Sequence, residues 1–218
     1  MPLTTPPALP CLHPSTLTIP GRLVDLERAD VARHAAGLWA AIGTDPTLWA
    51  MIPPGPFADE AAFTEWFTDR SGRADATLYT IVNKAIGKPA GLFFLLGVDT
   101  VMGVVEMGLV YGSGLTRQTA GTEAFFLLAR HVLDTLSYRR LEWRCDPEHA
   151  VSRRAAERFG FTEEGLLRQT MWTKNRSWDT VVYSILDREW PEIEKRLEAW
   201  LKPENFHADG RQIRPLQD

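Results

Sequence analysis

Every position of the run Gly91-Leu-Phe-Phe-Leu-Leu96 is apolar or lacks a side chain. A segment apolar on both faces does not lie at a solvated sheet edge; it belongs in the middle of a sheet, covered above and below. Strand-like runs flank it at 77–82 and 101–111, the central run itself extending over 90–98. Three neighbouring strands follow, the second and third antiparallel with a turn at or near residues 97–100. From 120 to 136 the apolar period changes to that of a helix, with Ala124, Phe125, Leu128, Val132 and Leu136 on one side. Residues 139–145 alternate again through Leu141, Trp143 and Cys145. Strand, helix, strand in that order is a right-handed crossover between parallel strands. The sheet is therefore mixed.

The remaining pattern completes the order. Residues 1–20 read as an extended, Pro-rich arm and 22–27 as a first strand. A helix over 30–42 has Asp30 as N-cap, and a second helix covers 59–70. Between them, 45–57 holds four prolines and reads as a loop. After the crossover, Asp146-Pro147 offers an N-cap and a proline at the first helical position. Val151, Ala155 and Phe159 repeat every four residues, and Gly160 is a natural stop. Strands at 161–173 and 180–186 and a helix at 188–201 end the ordered part. The fold class expected is α+β, a mixed sheet of about seven strands with helices on both faces, in one domain over 21–202 and with a tail at 203–218.

Composition excludes several functions. The chain of 218 residues carries a formal net charge of -4, which argues against a dedicated nucleic-acid binder. Its local basic cluster (Arg139, Arg140, Arg144, Arg153, Arg154, Arg158) reads as a solvated face. No stretch approaches the length of a membrane span, and the start of the chain lacks the basic and apolar regions of a signal peptide. Two distant cysteines, Cys11 and Cys145, form no disulfide framework and no metal-binding pair. A reducing, cytoplasmic location is expected, with no metal.

The chemistry is concentrated in 105–124, where a strand ends, a short Gly/Thr-rich loop follows and a helix begins. A helix start offers free N–H groups and a partial positive charge, and small residues let a ligand come close, so the arrangement suits a diphosphate. It also suits a plain strand-to-helix turn with Thr119 as N-cap. The GxGxxG, GxxxxGK[ST] and GxSxG fingerprints are absent.

Here the sequence resembles the GCN5-related N-acetyltransferases, and within them the RimJ/RimL-type branch, over roughly 17–206. The residues that carry the resemblance are Val105-Glu-Met-Gly108, Thr122-Glu-Ala124, Arg139-Arg-Leu-Glu-Trp-Arg-Cys145 and 152–168, which opens Ser152-Arg-Arg-Ala-Ala and includes Phe159-Gly-Phe161. The resemblance implies that the strand ending at Tyr111 and the strand near Arg139, the fourth and fifth of the sheet, splay apart. Backbone groups of Leu109, Val110 and Tyr111 would pair with the pantetheine arm of acetyl-CoA. Arg117, Gln118, Thr119, Ala120, Gly121 and Thr122 would face its diphosphate. Two departures stand out: the family's R/Q-x-x-G-x-G/A loop has Thr116 at its basic position and Thr119 at its middle glycine, and His149 stands where the branch often has an asparagine on the pantetheine. The implied activity is transfer of an acetyl group from acetyl-CoA to a primary amine, on a protein N-terminus or a small molecule. Glu106 is the candidate general base and Ser152 the candidate acid, with Ser152 also able to contact the cofactor; Glu164 is a second carboxylate to weigh. Cys145 reads as a small core residue.

Trp49, Met51 and Phe57 in the Pro-rich loop, with Trp172 and Trp178 in the late hairpin, are candidates for the acceptor pocket; packing around that loop explains the same residues. A catalytically silent acetyl-CoA sensor and an interaction module are the readings outside enzymology, and the apolar face of 188–201 allows a homodimer.

Overall fold

The computed structural model describes residues 9–207 and 210–216; residues 1–8 of the Pro-rich arm lie outside them. One mixed sheet carries β1 (Thr18–Pro20), β2 (Val24–Arg28), β3 (Ala76–Asn83), β4 (Lys88–Asp99), β5 (Val104–Tyr111), β6 (Arg140–Cys145), β7 (Thr162–Thr173) and β8 (Arg176–Leu186). Their order across the sheet is β1-β2-β3-β4-β5-β6-β8-β7. Every neighbouring pair is antiparallel except β5 and β6, which are parallel, as a crossover through the helix between them requires. The helices are α1 (Val31–Leu38), α2 (Glu60–Ser71), α3 (Thr119–Arg130), α4 (Ala150–Phe159) and α5 (Trp190–Leu201).

Alternation along β4 explains why it must be central. Leu92 and Phe94 pack with Leu38, Phe63 and Phe67 of α1 and α2 on one face. Phe93 and Leu95 pack with α3, α4 and α5 on the other. Each such side chain fully buried contributes about 1.5–3 kcal/mol, so one strand fastens both layers.

Several boundaries differ from the sequence expectation. The third strand begins at Val104, because residues 100–103 make the turn: Met102 donates its N–H to Asp99 Oδ1 at 2.8 Å and Gly103 takes φ 64°. Gly97 is instead an irregularity within β4. β8 starts at Arg176, four residues early, and Lys174 and Asn175 make a two-residue hairpin turn with φ of 51° and 57°. Asp30 does cap α1, accepting the Arg33 N–H at 3.1 Å. Asp146 does not cap α4; that helix starts after His149 with no side-chain cap, and Asp146 turns to Glu148 N–H and Arg176. Single π-helical turns end both α1 and α3, at Trp39–Gly43 and His131–Thr135.

Segments near both ends of the described residues are drawn into the fold. β1 adds an eighth strand from the last residues of the expected arm, and Cys11 is buried, its N–H on Thr100 O at 2.8 Å. At the other end Phe206 packs edge-on against Trp200 at 5.0 Å, and Leu216 is 2% exposed. The apolar face of α5 is spent inside the same chain: Trp190, Leu197, Trp200 and Leu201 are buried, and Trp190 Nε1 donates to Asp134 at 2.9 Å. The face that allowed a homodimer in sequence is thus occupied. Among the described residues no helix is long and apolar enough to cross a membrane.

Candidate active site

β5 and β6 pair over only three rungs, Val104 with Arg140, Val105 with Leu141 and Glu106 with Glu142. Both strands continue past the last rung. β5 stays bonded to β4 up to Tyr111, and β6 to β8 up to Cys145. From 107 and 143 onward they part, leaving the inner edges of Leu109, Val110 and Tyr111 without a strand partner. This is the splay expected between the fourth and fifth strands, now the fifth and sixth because β1 is counted.

The loop that crosses the open end is held by main-chain contacts. Gly112 N–H donates to Ala90 O at 2.9 Å, Asn83 donates to Gly114 O at 3.1 Å, and Leu115 is buried at 1% exposure. Thr116, at the family's basic position, turns its hydroxyl back to Gly112 O at 3.1 Å, so it offers a ligand no donor. Arg117 is exposed with φ of 59°, and Gln118, not Thr119, is the N-cap of α3. Gln118 N–H goes to Leu115 O and Gly121 N–H to Gln118 O, both at 3.1 Å. Among the described residues the N–H groups of Arg117, Thr119 and Ala120 keep no main-chain acceptor, as expected of a helix start. Gly121 is small for an internal reason: a Cβ there would lie 2.4 Å from Leu115 O and 3.1 Å from the Tyr111 ring. Tyr111 OH donates to Gly121 O at 2.8 Å, and burial raises its pKa well above the ordinary phenol value, so it remains a donor.

On the β6 side of the gap, Trp143 Nε1 donates to Ser152 Oγ at 2.9 Å. The Ser152 hydroxyl also lies against the Cys145 thiol, where its hydrogen bond works against the upward shift that burial imposes on that thiol. Cys145 is 9% exposed and burial pushes its thiol pKa up, in keeping with a core residue. His149 Nδ1 is buried without a partner, and burial lowers its pKa although Asp146 opposes the shift.

Glu106 sits at the last rung and borders an open cleft of about 490 Å³ with Leu96, Asp99, Met102, Glu142 and Arg144. Its pKa is raised by burial first, lowered by Arg144 and raised again by Glu142. Arg144 lies 3.5 Å from Glu106 and 2.8 Å from Glu142. Arg140 in turn bonds Glu142 at 2.7 Å and grips Glu164 with two N–H groups at 2.8 and 2.6 Å. Glu164 is thereby pulled down to about 2 and also accepts Ser184 OH at 2.8 Å. A carboxylate so committed to a guanidinium is a poor proton acceptor; Glu106 has the looser contact, 3.5 Å from Arg144. Arg144 and Glu142 were missed in sequence, yet their signal is there: Arg140, Glu142 and Arg144 alternate with Leu141, Trp143 and Cys145, so all three charges share one face.

The acceptor candidates divide. Trp49 is fully buried, donates to Ile42 O at 2.7 Å and packs edge-on against Phe57 and Trp66. It shapes the Pro-rich loop from behind and presents no ring to a ligand, a correction to its expected place in the wall. Trp178 is likewise buried, under Arg176 at 4.1 Å. Met51 and Phe57 are half-buried, and Trp172 is 74% exposed near the tip of the β7–β8 hairpin. From that tip Lys174 donates to Trp49 O and, at 3.2 Å, to Pro54 O. The hairpin therefore clasps the Pro-rich loop.

The acetyltransferase (GNAT) domain family model matches residues 23–162. The N-acetyltransferase p20 of Bacillus licheniformis, itself named as uncharacterized, is 26% identical over 182 residues, 82% of this chain and 97% of that protein. A crystal structure of a GCN5-related N-acetyltransferase from Brucella melitensis is 39% identical, with a TM-score of 0.92 over 96% of both chains. RimL, a ribosomal L7/L12 alpha-N-protein acetyltransferase solved in complex with coenzyme A, shares the fold at 18% identity, with a TM-score of 0.66 over 78% of this chain and 97% of its own. The parted parallel strands, the loop wrapped on a helix start and these likenesses agree: the chain is an acetyltransferase that belongs to the GCN5-related N-acetyltransferase family.

Proposed function

We propose that the protein moves an acetyl group from acetyl-CoA to a primary amine, that of a protein N-terminus or of a small molecule, by direct attack on the thioester. The observation that carries this reading is the parting of β5 from β6 beside unbonded N–H groups at the start of α3. The first gives an extended amide chain two edges to pair with; the second gives a diphosphate its donors. Acetyl-CoA supplies an activated acyl group and a thiol leaving group.

The protein's own residues do the rest. Glu106, directly or through one water, takes a proton from the ammonium so that the nitrogen lone pair can form the C–N bond. Main-chain N–H groups in 109–111 hold the carbonyl oxygen as negative charge gathers on it. As the C–S bond breaks, the nitrogen gives up its second proton to water, Ser152 gives its proton to the sulfur, and solvent restores it. Trp143 fixes the Ser152 oxygen for that role. Arg117, Thr119 and Ala120 hold the diphosphate through their N–H groups, while Gln118 and Gly121 shape the loop, Thr122 lines the helix behind it and His149 borders the pantetheine. Met51, Phe57 and Trp172 border the acceptor's approach. CoA bound to RimL supports the choice of cofactor.

The test is acetyl-CoA titration by calorimetry, followed by thiol release over a panel of N-terminal peptides and small amines. Saturable binding with release for at least one amine class is expected. Absence of binding would refute the reading, and binding with no release for any amine would leave a sensor instead.

A further inference from the structure

Arg158 lies in the last turn of α4, and Arg196 of α5 packs over the glycine that ends that helix, close enough for the two charges to act on one another. Arg158 is wedged between aromatic rings, its guanidinium carbon 5.6 Å from the Phe159 centroid and 5.0 Å from that of Trp200. It donates to Thr122 Oγ1 at 3.1 Å. Arg196 packs over Gly160, where an added Cβ would lie 2.8 Å from its Nη2. Its Nε and Nη2 are buried and have no acceptor. Nearby acids are used elsewhere: Glu123 accepts the N–H groups of Arg22 and Leu23 at 2.6 and 2.7 Å, and Glu198 lies 3.8 Å from Arg130. Glu157 is exposed. Among the described residues neither arginine forms an ion pair within 4.0 Å.

Two adjoining cations, one of them with orphaned donors, are costly unless an anion joins them. Burial, and after it Arg196, lowers the pKa of Arg158, a sign that the pair repels. Each guanidinium presents a planar fork suited to phosphate oxygens. A phosphomonoester carries nearly two negative charges at neutral pH, which matches two arginines. The position is also defined. Thr122 stands roughly 5 Å along α3 from Thr119, whose N–H faces the proposed diphosphate site.

We infer that Arg158 and Arg196 form a second anion subsite, which takes the 3′-phosphate of the adenosine of acetyl-CoA. This rests on the proposed use of acetyl-CoA: the helix start takes the diphosphate, and the third phosphate needs cations of its own. Arg158 is already fixed by its rings, and Arg196 swings its fork from Gly160 to the ligand, gaining the acceptors it lacks.

Titration of acetyl-CoA and acetyl-dephospho-CoA into the wild type, Arg196→Gln and Arg158→Lys tests this. The wild type should bind acetyl-CoA at least about tenfold more tightly than the dephospho compound. Arg196→Gln should remove that preference by weakening acetyl-CoA alone, with the dephospho affinity and the melting temperature of the empty protein held. Arg158→Lys, which keeps the charge but loses the fork, should reduce the preference in part. Equal binding of the two compounds by the wild type overturns the subsite and leaves the acetyl-CoA reading standing. A preference that survives in both variants also overturns it. Failure of the wild type to bind either compound removes subsite and cofactor reading together.

Discussion

Glu106 is held between burial and Glu142, which favour its protonated form, and Arg144, which favours the anion; burial leads. A folded-state pKa above the unfolded value contributes stability below the unfolded value, and that contribution is lost as pH rises through the folded one. Ionised Glu106 therefore weakens the fold at neutral pH. Glu106→Gln should raise the melting temperature at pH 7 more than at pH 4, while turnover falls by about 10²-fold or more and acetyl-CoA affinity holds. In the wild type kcat/KM should climb with pH through the raised Glu106 pKa, and that limb should vanish in the variant; a profile unchanged by the substitution would remove Glu106 as base. Glu164 has the opposite sign. Its folded value of about 2 stabilises the protein above the ordinary carboxylate range, and the gain is lost as pH falls from 4.5 towards 2. Its side chain is 39% exposed, so screening limits the effect to about 1 kcal/mol or less, readable as a smaller acid dependence of Tm in Glu164→Gln. In sequence Glu106 was the candidate because it precedes the expected splay on the same face as Val104 and Gly108. The sequence also ranked Glu106 ahead of Glu164; what it did not show is the grip of Arg140 on Glu164, a contact made between separate strands.

At the scale of elements, the loop into α3 matters most. Gly121 meets the Leu115 carbonyl, a backbone atom that cannot swing aside. Gly121→Ala should push the loop off the helix start, lowering acetyl-CoA affinity at least about tenfold and stability by about 1–3 kcal/mol. Gly114→Ala is the matched control in the same loop, since its Cβ would find nothing nearer than 3.6 Å; calorimetry should find its affinity unchanged. The sequence marked Gly121 as the last small position of the loop; the structure adds a local reason for its size, the Leu115 carbonyl. The segments misplaced in sequence share one cause. Val101 and Met102 are apolar yet 64% and 56% exposed in a turn, and the start of β8 carries polar residues that hide the strand period. Periodicity reports burial, and at hairpin ends burial and hydrogen bonding no longer coincide.

Over the whole molecule, the parallel crossover through the helix at 120–136 was legible, because crossover rules leave few topologies, and the place of the splay followed from the family resemblance. The clasp from Lys174 to residues 49 and 54 was not: nothing local marks a contact made across so much of the chain. It joins the two segments expected to border the acceptor, and burial lowers the lysine's pKa, so the ammonium depends on those carbonyl oxygens. Lys174→Met should raise KM for the amine several-fold while acetyl-CoA affinity stays level; steady-state kinetics against each substrate separates the two, and a change confined to the cofactor would refute the assignment.

A parted sheet has a further consequence. The two strands that open past Glu106 and Glu142 leave the interior of the protein with a seam that its own backbone never closes. Whatever fills the seam becomes part of the masonry, and a ligand at a hundred times its dissociation constant adds about 2.7 kcal/mol to the folded state. On the proposed use of acetyl-CoA, the durability of this protein in a cell should follow the supply of that ligand, so that starvation thins the catalyst together with its fuel.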